Sequence, residues 1–212
     1  TDVLFQKRDL VLTYSRGKGL DFRDDKTETD YMNYLQKHGE KLLRANTKDP
    51  VIAFNVLDHY LNDKLKEGKS VALILDYAEM LAPMGTNSFF SSQDRDILAM
   101  LLSWAKESVF LNSDMTIVLL TSNLNDVNQQ LVRDPFTAEI DVPYPNEEER
   151  LHFVDLFIEK EPSVLAKLEM PTQVLAKNTA GLNLVQLRTL MAEISRRNGV
   201  FSYQELKKKK KG

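Results

Sequence analysis

Hydrophobic positions along this chain follow two different periods, and the change from one to the other divides it. Leu10-Val-Leu-Thr-Tyr14, Val71-Ala-Leu-Ile-Leu75 and Thr116-Ile-Val-Leu-Leu120 are short, nearly continuous apolar runs. Runs of that kind predict strands buried on both faces of a parallel sheet. Ala138-Glu-Ile-Asp-Val142 is a further short strand by its alternation. Between the strands the period lengthens. A polar stretch from Thr27 to about Ala45 carries Tyr31, Tyr34, Leu35, Leu42 and Leu43 at roughly helical spacing. Val51, Phe54, Leu57, Tyr60, Leu61 and Leu65 line one face of a helix over 51–65. Ser91 with Asp94 opens a helix that runs through Ile97, Leu101, Trp104 and Ala105 to about Ser108. Leu124 to Val132 is a short helix. The connections are rich in breakers: Ser15 to Gly19, Glu67 to Ser70, and Ala82 to Ser88.

Pro143-Tyr-Pro145 interrupts this alternation, and beyond it the patterns are helical only. Asn146 with Glu149 forms a capping pair for a helix through Leu151, Val154, Phe157 and Ile158. Further helices are expected at about 163–169, 171–178 and 183–198, the last opened by Asn183 with Gln186, and from Ser202 onward. The expected organisation is an α/β domain with a mostly parallel sheet over 1–143, an α-helical subdomain over 144–206, and a basic tail or linker over 207–212.

Composition narrows the function classes. The 212 residues are 42% hydrophobic, enough to bury a core in one large domain or two small ones. A net charge of −3 supplies no global basic field, so nucleic acid is not an expected partner. The run Lys207 to Lys211 reads as a solvated helix end or linker, or else as a contact to nucleic acid or acidic lipid. The absence of cysteine excludes disulfides, thiolate catalysis and cysteine-based zinc sites. No run approaches the ~18 apolar residues of a membrane span. The first residues lack the basic and apolar regions of a signal peptide, so a cytoplasmic location is expected. The chain opens on Thr rather than Met, as a fragment of a longer protein would.

The sharpest chemical feature is Asp76 at the carboxyl end of the 71–75 run, with Glu79 three positions on. Parallel sheets bind ligands beyond the carboxyl ends of their strands, and in nucleotide-hydrolysing P-loop proteins an aspartate there holds Mg²⁺. The alternative is that Asp76 caps the following segment and Glu79 is a surface acid. Thr121-Ser-Asn123 ends the next strand, where a polar side chain would orient a water or a γ-phosphate; Ser and Asn are also ordinary turn residues. Arg133 precedes the 138–142 segment and is either an arginine finger or a surface ion-pairing residue. Gly68-Lys-Ser70 mimics the end of a phosphate loop. However, Asp63 stands where its first glycine belongs, and the helix precedes the strand. Gly17-Lys-Gly19 lacks the spacing and the hydroxyl residue. Both read as turns. His38, His59 and His152 show no metal-ligand spacing and are expected to be structural.

The order of these pieces resembles an AAA-type ATPase module. Ile140-Asp-Val-Pro-Tyr-Pro-Asn-Glu-Glu-Glu-Arg150 is similar to that family's passage into its helical lid, and Thr179-Ala-Gly-Leu-Asn-Leu-Val-Gln-Leu-Arg188 to the entry of the lid's penultimate helix. The likeness covers about residues 70–200. Arg8 to Leu20, Lys48 to Val51, Gly68 to Glu79 and Leu131 to Pro135 are most similar to the N-terminal, P-loop-less module of bacterial tandem-AAA proteins. The resemblance implies a three-layer P-loop-NTPase-like fold with a lid. It matches Asp76 to the Mg²⁺ aspartate and puts Tyr77 at the water-polarising glutamate, with Glu79 as a substitute. Asn123, or Ser122, matches the sensor asparagine, and Arg133 the first finger arginine. Val185 stands where some branches place a lid arginine, with Arg188 one turn on.

The function implied by that resemblance is ATP-driven protein remodelling by an assembly. Within it this module is degenerate, serves assembly and regulation within a homo-oligomeric ring, and handles protein substrate. ATP and Mg²⁺ would belong to the parent protein and would not bind tightly to this chain alone. One rival reading is an active ATPase whose phosphate loop lies upstream. Another is a nucleotide-independent interaction domain whose crevice at Asp76 is filled by side chains such as Tyr77.

Overall fold

A computed structural model describes residues 4–39, 48–85 and 90–209. The chain divides into two compact units, Thr1–Glu139 and Ile140–Gly212. In the first, strand β1 (Leu10–Ser15) turns through a tight hairpin into β2 (Gly19–Phe22), and Gly19 sits at φ 84°, where a side chain would be strained. Helix α1 (Asp25–His38) comes next, started by the Asp24 carboxylate accepting the Thr27 N–H. Helix α2 (Pro50–Lys66) is started by Asp49 and by proline in its first turn. Then come β3 (Val71–Leu75), the single turn α3 (Ala78–Leu81), α4 (Ser92–Trp104), α5 (Ser108–Leu111), β4 (Met115–Leu119), a 3₁₀ turn at Leu124–Asp126 and α6 (Gln129–Val132). Positions 40–45 of the long helix expected from Thr27, 86–88 of the breaker loop, and 210–211 of the lysine run lie outside the described residues.

The sheet has the order β2-β1-β3-β4. β1, β3 and β4 are parallel and in step, with Leu12 opposite Leu73 and Leu73 opposite Ile117. Only the β1–β2 hairpin is antiparallel. The all-apolar run 71–75 is therefore a central strand, and all five of its residues are buried. Leu10, Leu12, Tyr14, Val71, Leu73 and Leu75 face a core completed by α1, α2 and α4. Trp104 lies in that core, stacked on Phe54 at 5.4 Å and on Phe110 at 5.7 Å, while its indole N–H donates to the Asp58 carboxylate at 2.6 Å. The opposite side chains, Val11, Ala72 and Ile74, form a smaller cluster with Phe5 and Val118.

The second unit is helical: α7 (Glu147–Lys160), a 3₁₀ segment (Pro162–Lys167), α8 (Thr172–Asn178), α9 (Leu184–Arg196) and α10 (Tyr203–Lys209). Capping boxes start α4, α7 and α9 at Ser91/Asp94, Asn146/Glu149 and Asn183/Gln186. Val154, Val164, Leu175, Leu187, Met191, Ile194 and Phe201 make its core. The mostly parallel α/β arrangement with a helical domain after it agrees with the expected fold class.

Several local expectations need correction. The strand at 138–142 does not form: residues 135–146 carry no regular structure, and Ile140 and Val142 are 84% and 85% exposed. A strand needs a neighbour, and among the described residues none pairs with this segment. β2 adds to the expected strands, because Gly-Leu-Asp-Phe is too short and too polar to register as one. The Leu124–Val132 helix splits in two. Asn128 is buried, its N–H donates to Ala82 C=O at 2.9 Å, and its side chain caps Gln130, which breaks the run. The helix expected to reach Ser108 ends at Trp104, and the segment expected at 163–169 is 3₁₀ rather than α.

Candidate functional site

The carboxyl ends of β3 and β4 lie side by side, and the chain leaving each is pinned to the other. β3 delivers Asp76, whose N–H donates to Tyr14 C=O at 2.9 Å. One oxygen of the Asp76 carboxylate accepts the Tyr77 N–H at 3.0 Å; no other hydrogen bond among the described residues uses the second. The chain then reverses at Tyr77, which sits at φ 56°, ψ 54°. Among the described residues it is the one non-glycine with positive φ, and its side chain is 58% exposed. Ala78 N–H donates to Leu120 C=O at 2.8 Å and locks the exit of β3 against that of β4. Asp76, Tyr77, Glu79 and Thr121–Asn123 thus share one edge. Glu79 is half-buried, and its Oε2 has no partner among the described residues.

The exit of β4 is a self-satisfied turn. Thr121 Oγ1 donates to Asn123 C=O at 3.0 Å, and Asn123 Oδ1 accepts the Asn125 N–H at 3.1 Å as the cap of the 3₁₀ turn. The Asn123 amide NH₂ remains available, and both Ser122 and Asn123 are exposed. Arg133 lies just past α6 on the surface, with no carboxylate within ion-pairing distance among the described residues. Its neighbour Asp134 is buried, takes the Phe136 N–H at 3.0 Å and pairs with Lys106 at 3.7 Å. The structure brings Asp76, Glu79 and the Thr121–Asn123 turn together; no hydrogen bond or ion pair joins Arg133 to them.

Two further residues at this edge carry no motif in the sequence. Arg16, just beyond β1, donates to Met80 C=O at 3.2 Å and to Gln93 at 3.3 Å, and lies 3.5 Å from Asp94. It ties the exit of β1 to α3 and to the start of α4. Its one signal is a cation directly after a strand. Tyr14 is fully buried with its hydroxyl unpartnered among the described residues. Burial first, and the Asp49 carboxylate second, push that hydroxyl up to about 12, so it stays protonated at neutral pH.

The two Gly-Lys segments are structural. Gly68, at φ 77°, ends α2, and the Ser70 N–H and hydroxyl both donate to the Asp9 carboxylate at 2.9 Å, strapping β3 to the entry of β1. Lys18 sits in the β1–β2 turn, its N–H donating to Ser15 Oγ at 3.3 Å. His38 stacks on Tyr34 at 4.2 Å. Among the described residues no three His, Asp or Glu side chains gather as a metal-ligand set. A Mg²⁺ ion at this edge would have Asp76 as its protein ligand and take the rest of its shell from water and phosphate. The carboxylate suits a hard cation, while the two Gly-Lys segments, which alone resemble a phosphate loop in this sequence, are engaged as turns. Val185 and Arg188 lie on the exposed face of α9 in the second unit.

Two family models match the chain. Residues 1–143 match the N-terminal Rossmann-like domain of AAA+ chaperones, and residues 148–212 match the second helical domain of AAA+ chaperones. No match was found among curated proteins. Among the described residues, no helix is long and apolar enough to cross a membrane.

Proposed function

Given that this chain belongs to the AAA+ chaperone family, in which it supplies an N-terminal Rossmann-like and a second helical domain, we propose that it is a degenerate module serving assembly and regulation of an ATP-driven protein-remodelling machine. In this reading the ring is built from copies of the parent protein, the substrate is protein, and hydrolysis belongs to another domain. The supporting observation is the exit of β3. Where a water-polarising carboxylate would stand, Tyr77 occupies a left-handed turn with its ring largely exposed, and Asp76 is turned back onto the Tyr77 N–H. A phenol is no base at neutral pH without a large shift of its pKa. Glu79 keeps an oxygen without a partner among the described residues, but it stands two residues beyond the position of Tyr77.

The test is an equilibrium titration with a fluorescent ATP analogue, with and without Mg²⁺, up to millimolar nucleotide. The expected result is no Mg²⁺-dependent binding. Mg²⁺-dependent binding that disappears in Asp76→Ala would overturn the degenerate reading and make this edge a working nucleotide site.

A further inference from the structure

Asn198-Gly199 is the only Asn-Gly pair in the chain. Glycine after asparagine leaves the backbone nitrogen unobstructed by a side chain, within ring-closing reach of the asparagine amide carbon. Whether the ring closes depends on what holds the two groups. α9 ends at Arg196, and Arg197 turns extended at φ −75°, ψ 151°. Asn198 and Gly199 follow in the turn toward α10, and both are exposed. Neither the Asn198 side-chain amide nor the Gly199 N–H makes a hydrogen bond among the described residues. Gly199 sits at φ 112°, and a Cβ built on it would meet no atom within 4 Å, so the nitrogen is open to approach. Other asparagines on helix ends are held. Asn112 donates its amide to Ser108 C=O at 2.9 Å, and Asn178 donates to Val174 C=O at 2.8 Å.

The main chain is anchored on both sides of this free turn. Before it, Arg197 N–H donates to Glu193 C=O at 3.1 Å, and the Arg197 guanidinium pairs with Glu205 at 2.8 Å. After it, Phe201 N–H donates to Lys167 C=O at 2.7 Å, and Glu169 N–H donates to Phe201 C=O at 3.2 Å. The Phe201 ring is fully buried in the helical core. Residues 198–200 span the gap between the two anchors.

We propose that Asn198 is a site of spontaneous covalent modification, in which the Gly199 nitrogen closes a succinimide on the Asn198 side chain and water opens it to aspartate or isoaspartate. A base removes the Gly199 amide proton, and the nitrogen attacks Asn198 Cγ. The N–Cγ bond forms, the Cγ–Nδ2 bond breaks, and Nδ2 leaves as ammonia with the proton that the peptide nitrogen gave up. Water is the one co-reactant of the second step. Its attack at Cγ breaks the new bond and restores the main chain with aspartate at 198. Its attack at the Asn198 main-chain carbonyl carbon breaks the bond to the Gly199 nitrogen instead, and the chain then runs through Cβ and Cγ as isoaspartate. Both products add a negative charge beside Arg197. Isoaspartate also lengthens the main chain by a methylene between the two anchors, and this loosens the Phe201 anchor. The site lies within the second unit and is independent of the role of the Asp76 edge.

The experiment incubates the full chain at mildly alkaline pH, folded and in urea, and digests samples at acidic pH. The peptide that carries Asn198 is followed by mass spectrometry, and isoaspartate methyltransferase labelling separates isoaspartate from aspartate. Both products are expected in the folded chain, at a rate within about threefold of the unfolded chain, because an exposed turn without protecting bonds opens at almost no free-energy cost. In Asn198→Gln, where closure needs a larger ring, the products should be lost at that position while circular dichroism is unchanged. A folded chain that reacts about tenfold or more slowly than the unfolded one would show the turn held closed and overturn the site. The isoaspartate form, separated by ion exchange, should lose hydrogen-exchange protection at the Phe201 and Glu169 amides, while Asn198→Asp, which adds the charge without the methylene, keeps it. Unchanged protection of both amides in the isoaspartate form would overturn the loosening of the anchor.

Discussion

Tyr77 holds a backbone conformation that its own chemistry disfavours, and the cost can be isolated. At φ 56°, ψ 54° a residue with a Cβ pays roughly 1–2 kcal/mol relative to the right-handed region. Glycine is free of this strain, but it loses about 0.5–1 kcal/mol more chain entropy on folding than alanine. Comparing Tyr77→Ala with Tyr77→Gly removes the tyrosine ring in both and leaves only the backbone contributions. At an ordinary position alanine is the more stable of the two. Here the strain relief outweighs the entropy, and the glycine variant is expected to be more stable by about 0.5–1 kcal/mol, or a few degrees in Tm for a unit of this size.

The assay is urea unfolding monitored by tryptophan fluorescence. Trp104 is the only tryptophan, and it is buried between Phe54 and Phe110 in the first unit, so the signal reports that unit alone. Tyr77→Asn should fall between the two, because asparagine tolerates the left-handed region better than alanine. Tyr77→Ala more stable than Tyr77→Gly would refute the reasoning: the turn at the exit of β3 would not be left-handed in solution. If the glycine variant is the more stable, the strain at Tyr77 is retained at a stability cost, as strained residues at functional edges are.

Asp58→Ala should leave the buried Trp104 indole N–H without its acceptor and lower the stability of the first unit by about 1–3 kcal/mol, while Asp58→Asn stays near wild type; urea midpoints at constant slope would show it. In the second unit, Ile194→Ala removes a fully buried side chain from the helical core and should cost about 2–5 kcal/mol, read from loss of helical circular dichroism in denaturant. The Glu205 carboxyl is held down to about 2 by hydrogen bonding from Arg197 and then from the Ser202 N–H, against an ordinary value of 4.5. Since the folded value is the depressed one, its contribution is present above about 4.5 and lost as pH falls toward 2. An acid titration of the second unit's circular dichroism should lose that part of its slope in Glu205→Gln, and an unchanged slope would contradict the assignment.

Legibility in the chain depended on whether an element carried its own signal. The run 71–75 was readable because a strand flanked on both sides and covered on both faces has no position left for a polar residue. The three capping boxes were readable because each needs only a pair of side chains three residues apart. Elements whose existence depends on a distant partner were not. Gly19–Phe22 is a strand only because β1 lies beside it. Ala138–Val142 has the alternation of a strand and no described neighbour to pair with, so the pattern alone did not make the element.

The same distinction separates the parts of the candidate site. The place of Asp76 at the carboxyl edge comes from the strand it ends, but what its carboxylate does depends on the next peptide plane. That N–H lies on the carboxylate, and the chain turns left-handed directly after it at Tyr77, yet no residue type in Asp-Tyr-Ala-Glu announces such a turn as glycine would. Asn123 shows the converse. Its residue type is equally suited to sensing a phosphate and to capping a turn, and local geometry engages its side-chain oxygen with the Asn125 N–H while leaving the amide NH₂ exposed. A site assembled this way keeps its outline while its polar groups are diverted into local bonds. The Tyr77 and Asp76 variants therefore probe different things: the first how much strain the edge stores, the second whether any of its chemistry is still directed outward.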